Sequence, residues 1–175
     1  MKGKRQGILR QWYVLVPFVL VAAILLTYCG GGGGGGGAVC PDPAVARIDF
    51  SIVSLTSQFA GVVRIAGVVR NVGAGSYESG PTQQSVLLYE VPIGGTAALK
   101  ANQPFQNLAP GQEVTVTYER NWDSSSPAEG EFPPDYRIII TYDPDIYMDG
   151  NLMNDDCNGG NNDLTRSGAG INALF

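Results

Sequence analysis

The chain has 175 residues, 11 basic and 16 acidic, with a formal charge of −5 and no histidine. Without histidine there can be no Ser–His–Asp or Cys–His nucleophile system and no histidine-bearing metal site. Lys2, Lys4, Arg5 and Arg10 all precede the first acid, so 7 basic residues face 16 acidic ones beyond residue 28, a formal −9. A surface of that sign repels phosphate, so nucleic acid is not an expected partner.

Residues 1–10 form a basic segment, and residues 12–28 (WYVLVPFVLVAAILLTY) are an apolar run of 17 with no charge. This is the pattern of a secretory signal or a membrane anchor, and the positive end stays cytoplasmic, so the rest is exported. The run closes on LLTYC, which resembles a bacterial lipoprotein signal. Leu26 and Thr27 fit its box, Tyr28 stands where a small residue is usual, and Cys29 would become the acylated N-terminus. An uncleaved signal anchor fits the same residues. The run is nearly long enough to span a bilayer, and Trp12, Tyr13 and Tyr28 sit where an aromatic belt would lie. Gly30 after the cysteine is not an acidic inner-membrane retention signal, which points to the outer membrane of a two-membrane cell.

Eight consecutive glycines, Gly30 to Gly37, follow. Glycine loses the most backbone entropy on ordering, so residues 29–39 read as a flexible linker, whose eight glycines alone reach about 15 Å. The remaining residues, 40–175, suit one domain.

In that domain the apolar pattern is that of strands. Residues 47–55 alternate through Ile48, Phe50 and Ile52, then change phase at Val53 and Leu55, the mark of a bulge or a strand that switches sheets. Residues 61–73 set Val63, Ile65 and Val69 against Arg64 and Arg70. Residues 84–92 are apolar on both faces, as in a central strand. Residues 113–122 place Val114, Val116, Tyr118 and Trp122 on one face and Thr115, Thr117, Glu119 and Asn121 on the other. Residues 136–143 align Tyr136, Ile138, Ile140 and Tyr142, and a weaker last strand covers residues 163–173. Turn-forming stretches separate these runs. The pattern predicts an all-β, antiparallel immunoglobulin-like β-sandwich of about seven strands, preceded by an N-terminal hydrophobic signal or anchor helix.

Several short motifs resemble the bacterial cell-adhesion-related family known as CARDB: Val69, Asn71 and Gly73 at a strand end; Leu108 and Gly111 at the entry to the next; Asp143, Pro144 and Asp145 at a turn; and Asn161 with Asn162 closing an acid- and Asn-rich hairpin. The resemblance covers residues 45–172. Cys157, a longer hairpin and the lack of its usual Glu set this chain apart. It implies a seven-stranded sandwich used as a surface or adhesion-associated module, with no enzyme activity.

Residues 143–163 are rich in Asp and Asn, the hard oxygen donors that calcium takes. Asp143, Asp145, Asp149 and Asp155 are candidate ligands, although the spacing is not that of an EF-hand; turn capping explains the same composition. Glu129, Glu131 and Asp135 lie in one Ser/Pro/Gly-rich loop, where two acids could meet as an enzymatic pair; acidic loops ordinarily serve solubility. Among the aromatics Tyr77, Tyr89, Tyr147, Trp122 and Phe132, alternation assigns Tyr89 and Trp122 to the core, and Tyr147 with Met148 offers an exposed contact. With Cys29 assigned to lipid, Cys40 and Cys157 form an even pair in an oxidising compartment. Each lies just before a terminal strand, and a sandwich whose first and last strands run side by side brings them to one end. The expected function is that of a membrane-tethered cell-envelope lipoprotein with an immunoglobulin-like binding or structural module and an unidentified protein or polysaccharide partner. A calcium-dependent adhesin-like module and an accessory subunit of an envelope complex are the alternatives.

Overall fold

The structure, a computed structural model, describes residues 39–175. The signal or anchor segment, Cys29 and the glycine run lie outside the described residues. Seven strands follow in order: β1 (Pro43–Leu55), β2 (Ala60–Asn71), β3 (Gln84–Val91), β4 (Ala98–Pro104), β5 (Glu113–Asp123), β6 (Asp135–Tyr142) and β7 (Asp163–Ser167), before a short helical turn α1 (Ala169–Asn172). They form a three-stranded sheet, β1-β2-β5, facing a four-stranded sheet, β4-β3-β6-β7, and every pairing is antiparallel. This is the immunoglobulin-like sandwich that the strand pattern predicts.

The core lies between the sheets, where alternation directs it. Val63, Ile65 and Val69 from β2, Val116 and Trp122 from β5, Val86 and Leu88 from β3, and Ile138 and Ile140 from β6 are buried there. Trp122 is therefore a core residue. Tyr89 is not: it is half-buried on the outer side of β3, because its parity opposes that of Val86 and Leu88. On the water-facing side Arg64 pairs across to Glu119, and Arg137 pairs with Asp163.

The phase change at Val53 is a register shift between Ile52 and Ser54, so β1 bulges and stays paired with β2. Two elements differ from the sequence expectation. β4 has no apolar alternation and few strand-favouring residues; it exists as an exposed edge because its backbone pairs with β3 from Ser85 to Glu90. β7 ends at Ser167 rather than running to residue 173. The chain turns into α1, which buries Ile171, while Trp122 Nε1 donates to Asn172 Oδ1 at 2.8 Å.

The opposed faces of β5 give a direct test. Val116→Ala should cost on the order of 1–3 kcal/mol in urea unfolding, through lost burial and a residual cavity. Thr117→Ala, on the water-facing side, should stay within about 0.5 kcal/mol.

Candidate functional site

The two ends of the sandwich carry different chemistry. At the end where the chain enters, Cys40 and Cys157 are joined by a disulfide, 117 residues apart in sequence, with their Cα atoms at 6.2 Å. That separation lies within the roughly 4.4–6.8 Å that a disulfide spans. β1 and β7 both start at this end, as expected. They do so in facing sheets, in contact along one side of the sandwich, where the Arg166 guanidinium donates to the Ile48 carbonyl.

Beside the bridge sits Asn71, fully buried. Its Nδ2 donates to the carbonyls of Gly75 at 2.8 Å and Leu108 at 2.7 Å, and its Oδ1 accepts from the Asp42 and Gly73 amides at 3.1 and 3.0 Å. A methyl group at Gly73 would overlap the Cys40 carbonyl, and Gly111 takes φ +81° while donating its amide to the Asn71 carbonyl at 2.8 Å. Leu108 exchanges both backbone hydrogen bonds with Tyr77. The motif residues Asn71, Gly73, Leu108 and Gly111 thus meet at one place and hold the loops of this end.

The segment after β6 lies over the same end. Asp143 and Asp145 are exposed at its first turn, where the Ile146 amide donates to the Asp143 carbonyl at 3.1 Å. Asp149 accepts from the Asn151 amide, Asn154 Nδ2 and Gln83 Nε2; the Asn154 and Asn151 bonds chiefly hold its carboxyl below the usual carboxylate range. Asp155 is half-buried. Among the described residues no three His, Cys, Asp or Glu side chains gather as a metal-ligand set. Tyr147 and Met148 are exposed on this segment, whereas Tyr77 is buried.

The opposite end is built around Arg120. It shares the inward parity of Val116 and Trp122 and stacks its guanidinium 5.3 Å from the Trp122 ring centre. Nη1 donates to Glu90 Oε2 at 2.8 Å, Nε donates to the Asn121 carbonyl at 2.9 Å, and Nη2 pairs with Glu129. Lys100 lies 3.4 Å from the other Glu90 oxygen, and the Tyr136 hydroxyl donates to Glu90 at 3.2 Å. Burial by itself would lift the Glu90 carboxyl. The Arg120 hydrogen bond and charge, aided by Lys100 and Tyr136, outweigh burial and hold it below its ordinary value. Burial raises the Tyr136 phenol, and the Glu90 charge adds to it.

Glu129 also accepts from the Asp123 amide at 3.1 Å, and its carbonyl accepts from Asn172 Nδ2 at 2.9 Å, which pins the loop from residue 124 to 134 onto the sandwich. Of the three acids that the sequence groups in that loop, Asp135 is the first residue of β6, Glu129 is engaged by Arg120 and Glu131 accepts from Ser126, so Glu129 and Glu131 each have a separate partner. Open clefts of about 470 and 340 Å³ flank Arg120 and Glu129, the second lined by Pro92, Pro127, Phe132 and Pro134. Leu55, Phe59, Ile93, Leu99 and Phe132 are exposed on the loops and strand ends here. In the sequence, the inward direction of Arg120 is signalled only by its parity with Val116 and Trp122.

Non-reducing peptide mapping should recover Cys40 and Cys157 in one linked pair. Replacing both by serine should lower unfolding stability by about 4–5 kcal/mol in the chain-entropy account of so long a loop. At the other end, the folded Glu90 value lies below the unfolded carboxylate value of about 4.3. Its contribution is whole above that unfolded value and is lost as pH falls through the folded one. The Tm gap between wild type and Glu90→Gln should therefore be widest near neutrality and narrow as pH drops below about 4.3; a gap independent of pH would remove this role.

No family model and no curated protein matches the chain. Among solved structures, beta-glucosidase 3B from Thermotoga neapolitana in complex with glucose is similar at 18% identity and TM-score 0.29, over 69% of this chain and 16% of that one. The Se-Met labelled beta-glucosidase from Kluyveromyces marxianus is similar at 14% identity and TM-score 0.28, over 69% of this chain and 14% of that one. The chain spans less than a fifth of either enzyme, and at this level of likeness nothing about activity passes to it.

Proposed function

We propose that this chain is an exported cell-envelope lipoprotein, held at a membrane through Cys29 or through its uncleaved leader, in the outer membrane if the cell has two. Its immunoglobulin-like domain serves as a non-catalytic binding or structural module of the adhesion-related CARDB kind. The observation that supports this reading most is the Cys40–Cys157 disulfide, the covalent chemistry of an oxidising compartment, in a chain that begins with a basic segment and an uncharged apolar run. The bridge lies at the end where the chain enters the domain. The opposite end, with its two clefts and exposed apolar residues, is thereby left for a protein or polysaccharide partner. The engagement of Glu90 and Glu129 by Arg120 favours a binding role over acid–base work.

Mass spectrometry of protein extracted from membranes tests the tether. The expected result is loss of residues 1–28 with added acyl mass, both abolished by Cys29→Ser; an intact leader on membrane-bound protein selects the anchor form. Full-length protein recovered unacylated from the soluble fraction would overturn the proposal.

A further inference from the structure

The segment after β6 is acidic without counter-charge. Asp143, Asp145, Asp149, Asp155 and Asp156 lie within it, and no Lys or Arg occurs from Ile138 to Thr165. Asp156 is only 8% exposed and forms no salt bridge among the described residues. Its carboxylate accepts from the Asn158 amide at 2.9 Å, the Tyr142 hydroxyl at 3.0 Å and Asn162 Nδ2 at 2.6 Å. Asp42, also without a salt bridge among the described residues, accepts from Asn161 Nδ2 at 2.9 Å. Buried carboxylates ordinarily have a cationic partner, organic or metallic.

These bonds also fix the amides. An Asn whose Nδ2 is on a carboxylate turns its Oδ1 the other way. Asn154, Asn161 and Asn162 are all held like this, by Asp149, Asp42 and Asp156. The Oδ1 atoms of all three are buried with no hydrogen-bond partner, and Asn154 is 0% exposed. A buried carbonyl oxygen left unpartnered is destabilising, and folded domains carry few of them. Three such oxygens between residues 154 and 162 are therefore a concentrated cost in a segment that already holds excess negative charge. Amide oxygens and carboxylates are the donors a hard divalent cation takes.

We propose that this segment holds a divalent cation of the calcium class, with the Oδ1 atoms of Asn154, Asn161 and Asn162 as ligands and the Asp42 and Asp156 carboxylates supplying the balancing charge. The ligand set is amide-rich and differs from the carboxylates that composition suggests, since Asp143 and Asp145 are exposed and Asp149 caps a turn. The site adjoins the disulfide, where the Cys157 amide donates to the Pro41 carbonyl at 3.1 Å, so a bound cation ties the segment to the start of β1. It stands apart from the tether and the adhesion-related reading.

The test uses full-length protein in detergent, stripped with chelator and titrated with terbium under tyrosine excitation. Tyr142 bonds Asp156, and its ring centre lies 6.3 Å from that of Tyr77, so sensitisers are in place. The expected result is saturable emission displaced by calcium and much less by magnesium. The Tm should also rise by about 3–6 °C at about 5 mM calcium, a concentration above the Kd range of extracellular calcium modules. Asp42→Asn and Asn161→Ala should weaken calcium by about tenfold or more, and Asp145→Asn should titrate like wild type. Emission that calcium does not displace, with an unchanged Tm, would mean that water satisfies the amides and would overturn the proposal. So would loss of binding in Asp145→Asn with retention in Asp42→Asn. The terbium and calcium titration of wild type decides the matter even where a variant fails to fold, and it is independent of whether Cys29 is acylated.

Discussion

Three chain segments at the entry end of this sandwich are referred to one buried amide. Asn71 uses its full side-chain capacity, two donors and two acceptor positions, on four backbone groups from three segments. Its own backbone adds two more bonds, to Gln112 and from Gly111. The start of β1, the end of β2 and the entry to β5 are thus fixed to one side chain, inside the protein, where a lost bond leaves an unsatisfied group. Gly73 and Gly111 then follow as requirements: one gives room for the Cys40 carbonyl and the other a left-handed backbone. The disulfide lies beside a framework that is already closed without it.

The far end is organised by charge instead. Arg120 belongs to the three-stranded sheet, while Glu90 and Tyr136 belong to the four-stranded one, so the ion pair crosses the interior where the apolar core ends. A buried pair of this kind contributes little net stability against an apolar replacement, yet either partner left alone is costly. The arrangement thereby specifies how the sheets meet and which loop covers them, because Glu129 is the second partner of the same guanidinium. The clefts on either side follow from a long charged side chain occupying a position where a compact apolar one would close the layer.

Much of the fold is legible in the sequence because two-residue alternation is a direct imprint of burial. Ile48, Val63, Val116 and Ile138 mark their faces, and the change of phase at Val53 marks a true bulge. β4 was not legible, since an edge strand with exposed side chains leaves no apolar pattern and its existence depends on the backbone of β3. Arg120 escapes the sequence pattern because charge reads as a water-facing face, although its parity says otherwise. Tyr89 shows the converse, an aromatic that parity places outside. The cysteine pair is legible from the count of three cysteines, the export signal and the strand topology together. The orientation of the three Asn amides was not, because it depends on which carboxylate each Nδ2 finds after folding.

The position of the Cys40–Cys157 bridge has a mechanical consequence. Tension applied through the residues that precede Cys40 meets a covalent branch point before it reaches the first hydrogen bond of β1, which begins at Pro43. The load divides there between β1 in one sheet and the segment leading to β7 in the other. Peeling β1 away from β2 one bond at a time, the weakest mode of failure for an edge strand, no longer suffices to release the domain. Failure requires both sheets to yield together, and the disulfide converts a strand that could be unzipped from its end into an anchorage for the whole sandwich.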